Sequence, residues 1–91
     1  MGTSKDWQSY KQDGNTEFKA GKYDAAITAY GKALDICSDA QKDDRCVLLK
    51  NRAACYLKLN KNLEAIDDTT KALNISPNDV KALFRRYDTY L

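Results

Sequence analysis

Five side chains in this sequence are spaced for one kind of chemistry: Lys11 and Asn15 lie four apart, Asn51 stands alone, and Lys81 and Arg85 are again four apart. Residues four apart share one face of a helix. Ammonium and guanidinium groups carry positive charge and only donors, and an amide adds oriented N–H donors, so the set suits binding rather than bond breaking. Taken singly, a lysine or arginine at such spacing is ordinary solvated surface. Asn51 differs, because it interrupts the packing run Val47, Leu48, Leu49 and Ala53, Ala54, where an amide costs helix propensity and adds no core volume.

Catalysis is hard to assemble from what remains. The 91 residues contain no histidine, which removes the imidazole base, the His metal ligand and any Ser-His or Cys-His pair. The adjacent acids Asp43-Asp44 and Asp67-Asp68 point around a helix or loop instead of converging, and there is no glycine loop to cradle phosphate. Cys37, Cys46 and Cys55 are odd in number and nine apart, so neither CxxC spacing nor complete pairing exists. Free thiols of this kind are small buried fillers suited to a reducing compartment. No enzyme, cofactor or metal is expected.

Charge excludes further classes. Fifteen basic against thirteen acidic side chains leave a net +2, with both signs interspersed, so bulk electrostatics point to no nucleic acid. No apolar run is long enough to cross a bilayer and the first residues lack a signal-peptide core, so no membrane is expected and the location expected is cytoplasmic.

The elements that must position the five residues are repeats. Sliding the chain by 39 lays Phe18–Ile36 on Leu57–Ile75 with eight of nineteen positions identical, among them Lys19/Lys58, Ala26/Ala65, Ala33/Ala72 and Leu34/Leu73. A further slide of 34 carries Leu49 onto Leu83 and Arg52 onto Arg86. The difference of five residues falls in the polar stretch Cys37–Asp44, which lengthens a helix end or loop between units. Apolar residues recur at three and four, as in Tyr23, Ala26, Ile27, Tyr30, Ala33 and Leu34, and no segment alternates with period two. Each unit breaks once, at Gly21 and at Asn60, residue types that take the left-handed conformation closing a helix. Thr3-x-x-Asp6 and Ser76-x-x-Asp79 match a capping box, with Pro77 at a first helical position. The pattern predicts an all-α chain with helices near 5–20, 22–37, 44–59, 62–75 and 77–90.

Gly14, Gly21, Tyr23, Ala26, Tyr30 and Ala33, then Ala53, Tyr56, Asn60, Ala65, Ala72 and Pro77, resemble the small and large signature positions of a tetratricopeptide (TPR) repeat. Small residues there let paired helices approach closely while Tyr and Leu fill the gaps. Asn62 and Thr69 depart from the aromatic types usual at their places. The resemblance implies a single TPR solenoid over 1–91, about two and a half repeats: the first about 7–45, the second about 46–79, and the first helix of a third about 77–91. In such a stack the first helix of each pair lines the concave surface, and that is where all five donor residues fall.

Residue by residue, Lys11, Asn15, Asn51, Lys81 and Arg85 resemble the two-carboxylate clamp of TPR co-chaperones, with intervals of four, thirty and four and a remaining interval longer by the repeat extension of five. The resemblance implies binding of the C-terminal Glu-Glu-Val-Asp peptide of heat-shock protein 90 or heat-shock protein 70, whose last residue presents two carboxylates. It also assigns lesser contacts to Phe18 and Ala54, an apolar wall, and to Lys58, opposite an upstream Glu. The runs from Lys50 to Leu59 and from Asp79 to Arg86, with the lengthened first unit, look most like the N-terminal TPR module of the UCS-type myosin chaperones, the "uncoordinated" family. That implies a chaperone-docking adaptor for myosin folding. Two other readings remain open on the sequence: a TPR surface binding an internal segment of another partner, and self-assembly as a homodimer through the aromatic last helix, with Leu83, Phe84, Tyr87, Tyr90 and Leu91.

Overall fold

Asp6 opens the first helix in the computed structural model, which describes residues 6–38 and 40–77. Its carboxylate accepts a hydrogen bond from the Ser9 N–H at 2.8 Å, and α1 runs Trp7–Lys19. A first turn has N–H groups without helical partners, and Asp6 satisfies one of them. That bond holds the Asp6 carboxyl below the usual carboxylate range. The expected start near residue 5, with Thr3 as the cap, is therefore corrected: Asp6 stands three residues before a free N–H and offers a charged acceptor. Thr3 itself lies outside the described residues.

Three more helices follow, α2 (Tyr23–Ile36), α3 (Lys42–Lys58) and α4 (Asn62–Ile75), and no strand occurs among the described residues. The fifth expected helix, 77–90, lies outside the described residues apart from Pro77. Ser76 is the C-cap of α4, its N–H bonded to the Ala72 carbonyl at 2.9 Å, and the residues it is expected to cap lie outside the described residues.

Both expected breaks close in the same way. Gly21 has φ 78° and Asn60 φ 60°, the left-handed region that glycine and asparagine enter at least cost. Lys22 N–H reaches Glu17 O at 2.8 Å and Gly21 N–H reaches Phe18 O at 3.0 Å. One repeat on, Lys61 N–H reaches Tyr56 O at 2.8 Å and Asn60 N–H reaches Leu57 O at 3.1 Å. These are paired Schellman closures, which satisfy the last carbonyls of one helix and turn the chain back antiparallel.

Helices neighbouring in sequence are neighbours in space: α1 packs on α2, α2 on α3 and α3 on α4. Small side chains allow it, since Ala26, Ala33, Ala53, Ala65 and Ala72 are all fully buried at the seams. Tyr30, Leu48, Leu49 and Leu73 fill the space between, with Trp7, Tyr10 and Phe18 of α1 packed partly buried against them. A leucine buried as completely as Leu48 contributes about 1.5–3 kcal/mol. Cys37, Cys46 and Cys55 are buried thiols outside any disulfide, the filler role expected of them.

The lengthened link between the repeats is held by polar contacts. Arg45 Nη1 donates to the carbonyls of Leu34 and Cys37, both at 2.9 Å, placing a cation on the last turn of α2. Gln41 Oε1 accepts from the Ser38 N–H at 3.0 Å. The second pair carries a further tie: Arg52 of α3 grips Asp68 of α4 with Nε to Oδ2 at 2.7 Å and Nη2 to Oδ1 at 2.8 Å. Asp68 is 1% exposed, so its charge is compensated by a two-pronged partner instead of water. That bond raises the Arg52 pKa above its ordinary value.

Candidate functional site

An open groove of about 220 Å³ lies between α1 and α3, lined by Asn15, Phe18 and Lys19 from α1, Asn51 and Ala54 from α3, and Tyr30 rising from α2. The helical periods decide who meets there. Asn15, Phe18 and Lys19 are three and four apart on one face of α1, and Asn51 and Ala54 are three apart on α3. Phe18 is braced edge-on against Tyr23, with ring centroids 5.3 Å apart and planes at 73°. The groove thus has an apolar wall of Phe18 and Ala54 and amide groups from both helices.

Tyr30 forms the floor. Its ring packs where a Cβ on Gly14 would stand 2.5 Å from Cε1, a separation that atoms do not tolerate, so glycine at 14 makes room for the ring. The phenol O–H donates to Asn15 Oδ1 at 2.5 Å. Burial pushes the Tyr30 pKa up to about 12, which extends the hydroxyl's range as a donor from neutral pH well into the alkaline range. With Oδ1 occupied, the two N–H donors of the Asn15 amide remain for whatever enters the groove. The Asn51 side-chain amide has no hydrogen-bond partner among the described residues, and the residue is half-buried on the groove wall.

Four of the residues singled out in the sequence, Asn15, Asn51, Phe18 and Ala54, come together here. Lys11 sits one turn before Asn15 on α1, half-buried and outside the groove lining. Lys58 is exposed on the last turn of α3 and does not line the groove either. Lys81 and Arg85 lie outside the described residues, as does the helix suggested for self-association. Sequence reasoning missed two lining residues. Lys19 was aligned with Lys58 as a repeated surface lysine, yet only the first copy reaches the groove. Tyr30 reads from sequence as a gap filler, and only its hydroxyl, which a phenylalanine would lack, signals a polar task.

Among the described residues there is no group of three or more His, Cys, Asp or Glu able to hold a metal ion, and no helix long and apolar enough to cross a membrane.

The chain belongs to the tetratricopeptide repeat family, whose model matches residues 13–78. It is 39% identical to unc-45 homolog B of Danio rerio over 99% of its length and 10% of that protein's. The myosin chaperone UNC-45 of C. elegans, solved in complex with a Hsp90 peptide, superposes with a TM-score of 0.89 at 37% identity over 94% of this chain and 10% of that one. The mitochondrial import receptor subunit TOM70 of Rattus norvegicus is 44% identical over 87% of this chain and 13% of its own. The second TPR of Spaghetti (RPAP3), bound to the HSP90 peptide SRMEEVD, superposes with a TM-score of 0.81 at 34% identity, covering 94% of this chain and 75% of that one. The chain spans about a tenth of the length of the first curated relatives it matches.

Proposed function

We propose that this chain is a protein-interaction module that binds the C-terminal Glu-Glu-Val-Asp peptide of heat-shock protein 90 or heat-shock protein 70 through a two-carboxylate clamp of Lys11, Asn15, Asn51, Lys81 and Arg85. The observation that carries it is the convergence of Asn15 and Asn51 from two different helices on one open groove, with Phe18 and Ala54 beside them. Likeness to TPR domains bound to Hsp90 peptides supports the choice of ligand. A peptide ending in Asp offers a main-chain and a side-chain carboxylate on one residue, and the proposed set answers with amide donors, ammonium groups and a forked guanidinium. Lys19 on the groove wall, and Lys58 beyond it, add positive charge for the upstream glutamates.

Charge-assisted hydrogen bonds contribute about 1.5–3 kcal/mol each, offset by the ordering of a flexible peptide, so an affinity on the order of micromolar that weakens with salt is expected. The unc-45 likeness supports a role as the chaperone-docking part of a longer co-chaperone that acts on myosin. The compartment is proposed as cytoplasmic on the same ground, although the TOM70 relative is a mitochondrial receptor subunit. Calorimetric titration with a free-acid Glu-Glu-Val-Asp peptide and with its C-terminal amide tests the reading: the free acid should bind at least tenfold more tightly, and equal affinities would replace the clamp with recognition of an internal segment.

A further inference from the structure

The two orientations of an asparagine amide differ by a half-turn about a soft torsion, and in water both are visited. At Asn15 they are not equivalent. The Tyr30 O–H donates to Oδ1, and the ring that carries it is 2% exposed and seated against Gly14, where no side chain could share the space. A half-turn of the amide would present its carbonyl oxygen to the groove, and any anion there would meet an acceptor in place of a donor. The matching position of the second repeat does nothing of the kind, since Thr69 donates back to the Ala65 and Ile66 carbonyls of its own helix at 2.9 and 3.0 Å.

We propose that Tyr30 is a positioning residue of the groove: its buried phenol holds the Asn15 amide with the N–H donors toward the ligand, and this bias makes the groove prefer an anionic chain end over a neutral one. The inference rests on the clamp reading above and adds a residue of the groove floor that acts through Asn15. Tyr30→Phe keeps the ring on Gly14 and removes only the O–H. Affinity for the free-acid Glu-Glu-Val-Asp peptide should fall about 5- to 10-fold, the size of one net hydrogen bond, while affinity for the amidated peptide stays unchanged. In an Asn15→Ala background the same substitution should cause no further loss, because the group it positions is gone.

A merely structural role for Tyr30 would weaken both peptides alike and would persist in the Asn15→Ala background, and that result would overturn the proposal. A second measurement needs no variant: in the NMR spectrum of the native chain, the Asn15 side-chain NH2 signals should shift on adding free-acid peptide and stay in place with the amide. Signals indifferent to the free acid would overturn the proposal as well. Failure of the clamp is distinguishable, because a native chain that binds acid and amide equally well removes both ideas. A native chain that prefers the acid but shows additive Tyr30 and Asn15 variants removes only this one.

Discussion

In the first repeat Tyr30 of α2 lies against Gly14 and reaches Asn15, whereas Ala53 and Thr69 stand at the matching places in the second and the Thr69 hydroxyl turns back onto α4. The difference runs the other way one helical position earlier. Arg52 and Asp68 join α3 to α4 by two hydrogen bonds, while their first-repeat counterparts are Asp13 and Ala29, which make no such pair with each other. Both repeats share the Schellman turn and the alanine seams. They differ in where their interhelical polar contact points: the first directs it outward, to a groove, and the second directs it inward, to lock its own helices. A repeat frame set by small residues is thus free to place its polar side chains differently in each copy.

Breaking the inward device should have the largest effect. Arg52→Ala leaves the Asp68 carboxylate buried without a partner, and we expect a loss of about 3–5 kcal/mol in urea denaturation. A change below about 1 kcal/mol would mean that water reaches Asp68 and that the second repeat is not locked there.

The outward device should be sensitive to bulk on one glycine and indifferent to bulk on another. Gly14→Ala drives a Cβ into the Tyr30 ring and should cost about 1–3 kcal/mol despite better helix propensity. Gly31, also mid-helix, has only Arg52 Nη1 at 3.6 Å from an added Cβ, so Gly31→Ala should stabilise the chain by about 0.5–1 kcal/mol. Opposite signs in thermal melts would support the contrast, and equal signs would undo it.

Asn51→Ala should separate binding from stability. Loss of an oriented donor should weaken free-acid peptide binding by about 1–3 kcal/mol, while stability is unchanged or slightly raised because alanine is the better helix former. A melting temperature lowered by more than a few degrees would instead give the Asn51 amide a structural task.

The smallest expected effects are in pH. The folded Tyr30 pKa of about 12 lies above the unfolded value of 10, so its contribution is complete below pH 10 and is lost as pH rises toward 12. Tyr30→Phe should flatten the stability profile in that window. Asp6 has the reverse sign: its folded pKa is lowered, so its contribution is present above the unfolded value near 3.8 and fades as pH falls below it. Asp6→Asn should remove part of the acid-side decline in helicity measured by circular dichroism.

The repeat itself was legible in the sequence, and so were its turns. Gly21 and Asn60 are short-range signals, because a left-handed residue is chosen by its own side chain and the chain's local geometry does the rest. The alanine seams were legible too, since helical period alone puts Ala26 with Ala33 on one face of α2 and Ala65 with Ala72 on one face of α4. Helix starts were less so: Thr3 and Asp6 both carry capping side chains, and the choice of Asp6 depends on which N–H ends up unpaired.

Only the tertiary structure decided which polar residues meet. Asn15 and Asn51 are 36 residues apart, and their sharing a groove follows from how α1 and α3 flank α2. Lys19 and Lys58 are identical under the repeat, yet one lines the groove between α1 and α3 and the other does not. Tyr30 shows the reason most directly: sequence determined that an aromatic side chain would be buried at that position, whereas the missing Cβ of Gly14 across the seam decided where its hydroxyl would end. Local conformation is written in neighbouring residues, but the partner of a side-chain donor is whatever the packing brings within 3 Å.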